Sequence, residues 1–141
     1  MDVDAASHMI FACGSTLYAA SIDAASEVIN MPRVTLVPGG PKYQLGIFVH
    51  QGEILPAIDV PLLEEREPTQ PVRRIVILRA PGGAAGLVVS RVEGLCFLKV
   101  DPPTSTMGDA RPSFLDRSTI DQYPVWIIDA ATLIRALVTA T

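Results

Sequence analysis

The segment GIFVHQGEILPAIDV, residues 46–60, is two apolar arms joined by Gln51-Gly52, and it commits the chain to antiparallel sheet. Glycine at the second position of a two-residue turn takes a positive φ without a Cβ clash, so arms 46–50 and 53–60 fold back on each other. Pro56 cannot donate to a ladder, which puts it at a bulge or an edge. Asp59 precedes Pro61-Leu62-Leu63, a single helical turn, and its carboxylate is expected to serve the backbone where the chain bends. Gly46, Gly52, Pro56 and Asp59 are therefore read as structural residues.

The same grammar recurs along the chain. Residues 9–13 and 17–22 read as strands around Gly14-Ser15, and residues 72–79 and 84–90 as strands around Pro81-Gly82-Gly83. Residues 92–100 continue as a strand bent at Gly94, and residues 125–128 form another. Asp23 is expected to cap a short helical turn through Ser26, with residues 27–31 extended after it. Pro32, Pro38, Gly39, Gly40 and Pro41 make residues 32–41 an ordered loop. Asp129 is a helix N-cap for residues 130–138, where Leu133 and Leu137, like Ile134 and Val138, stack at i,i+4. Residues 101–122 carry three prolines and one strong apolar anchor, Phe114-Leu115. A stretch that long implies a function or a hidden strand. Residues 1–8 are expected to be a disordered terminus, 9–141 one domain, and the polar residues 64–71 its internal joint. About eight strands and one helix indicate a mainly β chain of small closed or nearly closed sheets rather than a βαβ fold.

Composition narrows the function. Hydrophobic residues are 49% of the 141 and aromatics only 6%, an aliphatic mix suited to packed strands and unsuited to disorder. The net charge of −4, with 11 Lys and Arg in all, leaves no basic surface for nucleic acid; Arg73-Arg74 reads as a solvated edge. No apolar run reaches the roughly 18–20 residues of a membrane span, and the start lacks a basic leader, so a cytoplasmic protein is expected. Cys13 and Cys96 lie in apolar runs as small buried hydrophobes, with no disulfide expected. His8 and His50 form no metal-ligand spacing, so no metal or cofactor is expected. Glu53 and Asp59 share a strand face but stand about 20 Å apart, too far for a carboxylate pair. Ser90 and Ser113 have no histidine placed to activate them. The chain reads as a binding module, not an enzyme. Alternation cannot send all of Val28, Ile29, Met31 and Leu36 inward, leaving open whether one of them lines an exposed groove.

In order and spacing, these motifs resemble the CheW-like adaptor domain of bacterial chemotaxis. The resemblance rests on Ser26-Glu27-Val28-Ile29, Pro38-Gly39-Gly40-Pro41 and residues 46–60 against the family's G-x-x-N-x-R-G-x-x-x-P-x-x-D-L. It rests also on residues 86–92 against G-x-x-V-D-x-V, and on Ile127-Ile128-Asp129 before Leu133. It spans roughly residues 9–138. It implies two five-stranded SH3-like barrels sharing an apolar core, the second drawn mainly from residues after 64–71, with a short C-terminal helix. It also implies a non-enzymatic adaptor that couples methyl-accepting receptors, through their cytoplasmic tips, to the regulatory domain of a CheA-type histidine kinase.

Carried over, Glu27, Val28, Ile29 and Met31 are expected near the groove and kinase-facing surfaces, with Val49 and Gln51 at the hairpin beside them. Val49 and Gln51 replace the family's asparagine and arginine, Ser90 replaces its aspartate, and the strand before the last one is poorly marked. Glutamine lacks arginine's charge and five-donor fork, a loss worth about 1–3 kcal/mol to a charge-assisted contact. These departures point to a divergent adaptor, of an alternative chemosensory or type IV pilus system, rather than to a standard chemotaxis copy. Coupling of chemoreceptors to the kinase in a signalling array stays the main expectation, with a type IV pilus or gliding motility system as the alternative. A small-molecule sensory module is the reading of another class, and a polar pocket enclosed between the barrels would favour it.

Overall fold

The computed structural model describes residues 6–63, 73–100 and 115–139. Two hairpins set its frame. β1 (Ala6–Cys13) turns through Gly14 into β2 (Thr16–Ser21), with Phe11 directly opposite Tyr18 and their rings stacked at 6.1 Å. β4 (Gln44–His50) turns through Gln51-Gly52 into β5 (Glu53–Asp59), where both turn residues take positive φ, 50° and 81°. Those signs define the turn whose twist matches that of the flanking strands.

The remaining elements are β3 (Ala25–Asn30), α1 (Val60–Leu63), β6 (Arg74–Ala80), β7 (Gly83–Val89), β8 (Arg91–Leu98), β9 (Leu115–Ile120), β10 (Tyr123–Ile128) and α2 (Ala130–Thr139). They build two five-stranded sheets, ordered β8-β1-β2-β10-β9 and β3-β6-β7-β5-β4. Most neighbours are antiparallel; β10 runs parallel to β2, and β5 parallel to β7. The second sheet thus takes β3 to β7 as one run, and the first takes both ends of the chain.

This topology refines the expected division. The sheet β8-β1-β2-β10-β9 draws three of its five strands from after residues 64–71, but those residues are not where the chain changes sheets: it passes between them near Ile22–Ala24 and Ser90. The polar composition of 64–71 reads as a joint, yet β5 can lie parallel to β7 only if the intervening chain crosses over, and α1 and β6 lie on that crossover. Residues 64–71 themselves lie outside the described residues, as do Phe114 and the Val138 side chain.

Burial follows from alternation with both faces apolar. On β6, Ile75 and Ile77 point into a cluster with Phe48, Leu55, Ala57 and Val88, the interior of the second barrel. Val76 and Leu78 point the other way, into a larger cluster with Phe11, Tyr18, Ile58, Leu87 and Leu133 that draws on both sheets. β1 divides likewise: Ile10 joins Ala19, Leu98, Val125 and Ile127 inside the first barrel, while Met9, Phe11 and Cys13 face the shared core. α2 covers that core with Leu133 and Ile134. Asp129 caps it as expected, its Oδ1 accepting the Thr132 N–H at 3.1 Å.

Three local expectations change. Residues 6–8, assigned to a disordered terminus, are strand: Ala6, Ser7 and His8 pair with Leu98, Phe97 and Cys96 of β8, and His8 is buried. Their low apolar content hid a pairing whose partner is some 90 residues away in sequence. Asp23 caps no helical turn. Its N–H goes to the Ser21 hydroxyl and that of Ala24 to the Ser21 carbonyl, closing a tight turn straight into β3. Cys96 is half-buried rather than buried: it faces the first barrel's interior, but from β8, an outer strand of the sheet; both cysteines are free. The hidden strand exists as β9, antiparallel to β10, with Leu115 buried. Gly94 takes φ 143° beside the register shift opposite Ile10 and Phe11, the bend expected there.

Candidate partner-binding edge

β3 and β4 are the two outer strands of the second sheet, and the barrel brings them together. His50, the last residue of β4, sets its Nε2 2.9 Å from Oε1 of Glu27 on β3; the imidazole is largely withdrawn from solvent, while the Glu27 side chain stays more than a third exposed. The loop between these strands is strapped to β4 as well: Thr35 and Ile47 exchange both backbone hydrogen bonds, each 2.8 Å. Gly46 permits that approach, since a Cβ there would stand 2.2 Å from the Thr35 carbonyl oxygen.

Next to the Glu27–His50 contact the hairpin bares an apolar face. Val49 and Ile54 are cross-strand partners, and both are about two-thirds exposed, at 67% and 68%. Pairs this close across a sheet cover each other, so their exposure marks a surface with no partner within the described residues. Ile47 and Pro56 form the next outward pair along the hairpin. A cleft of about 350 Å³ opens beside them, lined by Pro32, Arg33, Thr35, Ile47, Phe48, Val49 and Ile54. Leu36, 79% exposed, stands on the strapped loop.

Of the sequence-assigned contact residues, Glu27, Val49 and Gln51 gather around His50, with Gln51 exposed at the turn. Val28 is exposed on β3, whereas Ile29 and Met31 are half-buried against the second barrel's interior. Asp59 is fully buried, with its N–H donating to the Tyr43 carbonyl at 2.8 Å. Pro56 lies one residue before the parallel pairing with β7 starts, where β5 has a neighbour on one side and needs no second donor.

Three members were not singled out. Ile54 was readable: with Gln51-Gly52 as the turn, the register pairs 50 with 53 and 49 with 54. His50 was unreadable as a partner of Glu27, because opposite sheet edges meet only on closure. Arg79 was likewise hidden; its Nη2 lies 2.8 Å from Glu53 Oε1. That hydrogen bond, more than the charge alone, holds the Glu53 carboxyl below its usual 4.5, and Glu53 raises Arg79 in return. Both groups are close to half exposed, so the pair orients side chains more than it stabilises the fold. Among the described residues, no group of three or more His, Cys, Asp or Glu could hold a metal ion, and no helix is long and apolar enough to cross a membrane.

Two intertwined barrels over a common core, presenting an apolar hairpin edge, define a two-lobed β scaffold of the SH3-like kind. The CheW-like domain model matches residues 7–138, and the chain belongs to that family of scaffold and adaptor domains. The crystal structure of the scaffolding protein TtCheW from Thermoanaerobacter tengcongensis superposes with a TM-score of 0.78 over 92% of each chain, at 24% identity. Protein PilI of Pseudomonas aeruginosa is 30% identical over 93 residues, 64% of this chain. The match takes in 52% of PilI, so the chain spans about half the length of the curated relative it matches.

Proposed function

We propose that the chain is a cytoplasmic, non-enzymatic adaptor that couples a CheA-type histidine kinase to the cytoplasmic tips of methyl-accepting receptors. Within that class we assign it to a type IV pilus system, a choice supported by the likeness to PilI. The observation that carries the adaptor reading is the apolar hairpin edge, Val49 with Ile54, framed by Glu27 and His50 on the family's fold. An exposed apolar pair beside a cleft is what a protein partner covers. Glu27, Val28, Ile29, Met31, Val49 and Gln51 form the proposed contact set, in which Gln51 substitutes a neutral group for a cation. Selection at this edge then relies on apolar fit more than on a charge-assisted fork.

The test is titration of the full chain against the regulatory domain of the kinase and a receptor tip, both from the same gene neighbourhood. Saturable binding of both is expected, and Val49→Asp or Ile54→Asp weakens the kinase arm at least about tenfold by burying an unpaired charge. Gln51→Arg shifts preference among kinases without changing the fold. Absence of binding to either partner refutes the pathway assignment.

A further inference from the structure

The hairpin edge carries one charged group that the proposed contact set does not use. Both of its acids are already taken: Glu27 accepts from His50, and Glu53 is paired with Arg79. Arg33, on the loop between β3 and β4, is exposed and lines the cleft of about 350 Å³ together with Val49 and Ile54. Its guanidinium has no hydrogen bond, ion pair or aromatic contact among the described residues.

Arg33 is exposed but not loosely held. Met31 and Val34, on either side of it, pack against the second barrel's interior, and Pro32 fixes its own φ between them. Thr35 exchanges both backbone hydrogen bonds with Ile47 in antiparallel register. Carried two residues along, that register sets Arg33 beside Val49, and the two line the cleft together. The backbone at Arg33 is therefore anchored from both directions, so little is left to order when a partner arrives. A guanidinium is planar, permanently charged and offers five donors in a fork that matches the two oxygens of a carboxylate. Phosphate is the poorer match here, because the cleft holds no second cation among its lining residues and the chain carries a net charge of −4.

We propose that Arg33 is the specificity-determining cation of this edge, standing on the strapped loop rather than in the hairpin turn. The inference rests on the adaptor reading and names the partner's chemistry. An aspartate or glutamate of the kinase's regulatory domain meets Arg33, next to the apolar side chain that covers Val49 and Ile54. Gln51 leaves the turn without a charge, and Arg33 adds one charge-assisted contact to the apolar fit from the loop side.

The test is calorimetric titration of the full chain with that domain at about 50 mM and about 200 mM salt, between which the screening length falls about twofold. Arg33→Gln is expected to weaken binding at least about tenfold at the lower salt and to flatten the salt dependence. Arg33→Lys recovers only part of the loss, because a point charge cannot make the bidentate contact. Neither variant moves the urea midpoint, since the side chain holds no other group among the described residues. Arg117→Gln, on β9 of the other sheet, removes the same net charge and leaves binding unchanged. Two outcomes overturn the inference and leave the adaptor reading standing: Arg33→Gln binding as tightly as the wild type with the same salt slope, or Arg117→Gln weakening binding as much. A regulatory domain that does not bind the wild type at all overturns both.

Discussion

Replacing Gly46 by alanine tests how the loop of residues 32–41 is held against the hairpin. Gly46 has φ 154°, and an added methyl carbon would sit 2.2 Å from the Thr35 oxygen and 2.8 Å from its carbonyl carbon. Those atoms are backbone, and no rotamer change relieves the contact. The loop must lift, losing both Thr35–Ile47 hydrogen bonds, each 2.8 Å. Each is worth about 0.5–1.5 kcal/mol net, and holding alanine in this part of φ space adds about 1–3 kcal/mol. The expected loss of about 2–6 kcal/mol is a large part of the 5–15 kcal/mol typical of a domain. Gly52→Ala is the control: its φ of 81° carries the strain, but no atom lies within 4 Å of the added carbon. Urea unfolding of both variants at constant m separates the contributions, and amide exchange reads the bridge directly. If Gly46→Ala costs no more than Gly52→Ala, and the Thr35 and Ile47 amides stay protected, the strap is not what the glycine serves.

Two other perturbations probe the hairpins and the edge. Asp121 and Gln122 both hold positive φ, 47° and 72°, in the turn between β9 and β10. Gln122→Gly should stabilise by about 0.5–1 kcal/mol, relief of left-handed strain outweighing the added freedom of the unfolded chain, and a lowered urea midpoint would contradict it. Glu53 is held below 4.5 by Arg79, so the pair's contribution is present above pH 4.5 and is lost as pH falls through the folded-state value. The gap in urea midpoint between the wild type and Glu53→Gln should therefore narrow below pH 4.5, and a gap constant from pH 7 to pH 3 would dismiss the pair.

Local chemistry was legible where a structural feature is decided within about ten residues. The Gln51-Gly52 turn, the helical turn at Val60–Leu63, the Asp129 cap and the bend at Gly94 all follow from backbone rules for glycine, proline and capping side chains. What depends on distant pairing was not legible. Residues 6–8 look polar until Leu98, Phe97 and Cys96 lie beside them, and the residues around Ser118 look irregular until β10 pairs with them. The same limit applies to the edge: Val49 and Gln51 were singled out through the motif, Ile54 needed only the hairpin register, but the Glu27–His50 contact exists solely because the barrel closes.

That contact bears on what the replacement at position 51 means. A family arginine beside the turn would bring a cation within reach of the β3 edge. Here glutamine stands at the turn, and the neighbouring His50 holds the Glu27 carboxylate at 2.9 Å. The edge therefore retains a partner for its acid while giving up a permanently charged fork, and the adjacent surface, Val49 with Ile54, is apolar where the motif carries asparagine. Glycines, proline and the buried aspartate keep the backbone of residues 46–59 in place, so the side chains at 49–51 can change without cost to the barrel. The separation gives an expected outcome: substitutions at Val49 and Gln51 change binding and leave the unfolding midpoint nearly unmoved, while substitution at Gly46 lowers stability through the loop that frames the same surface.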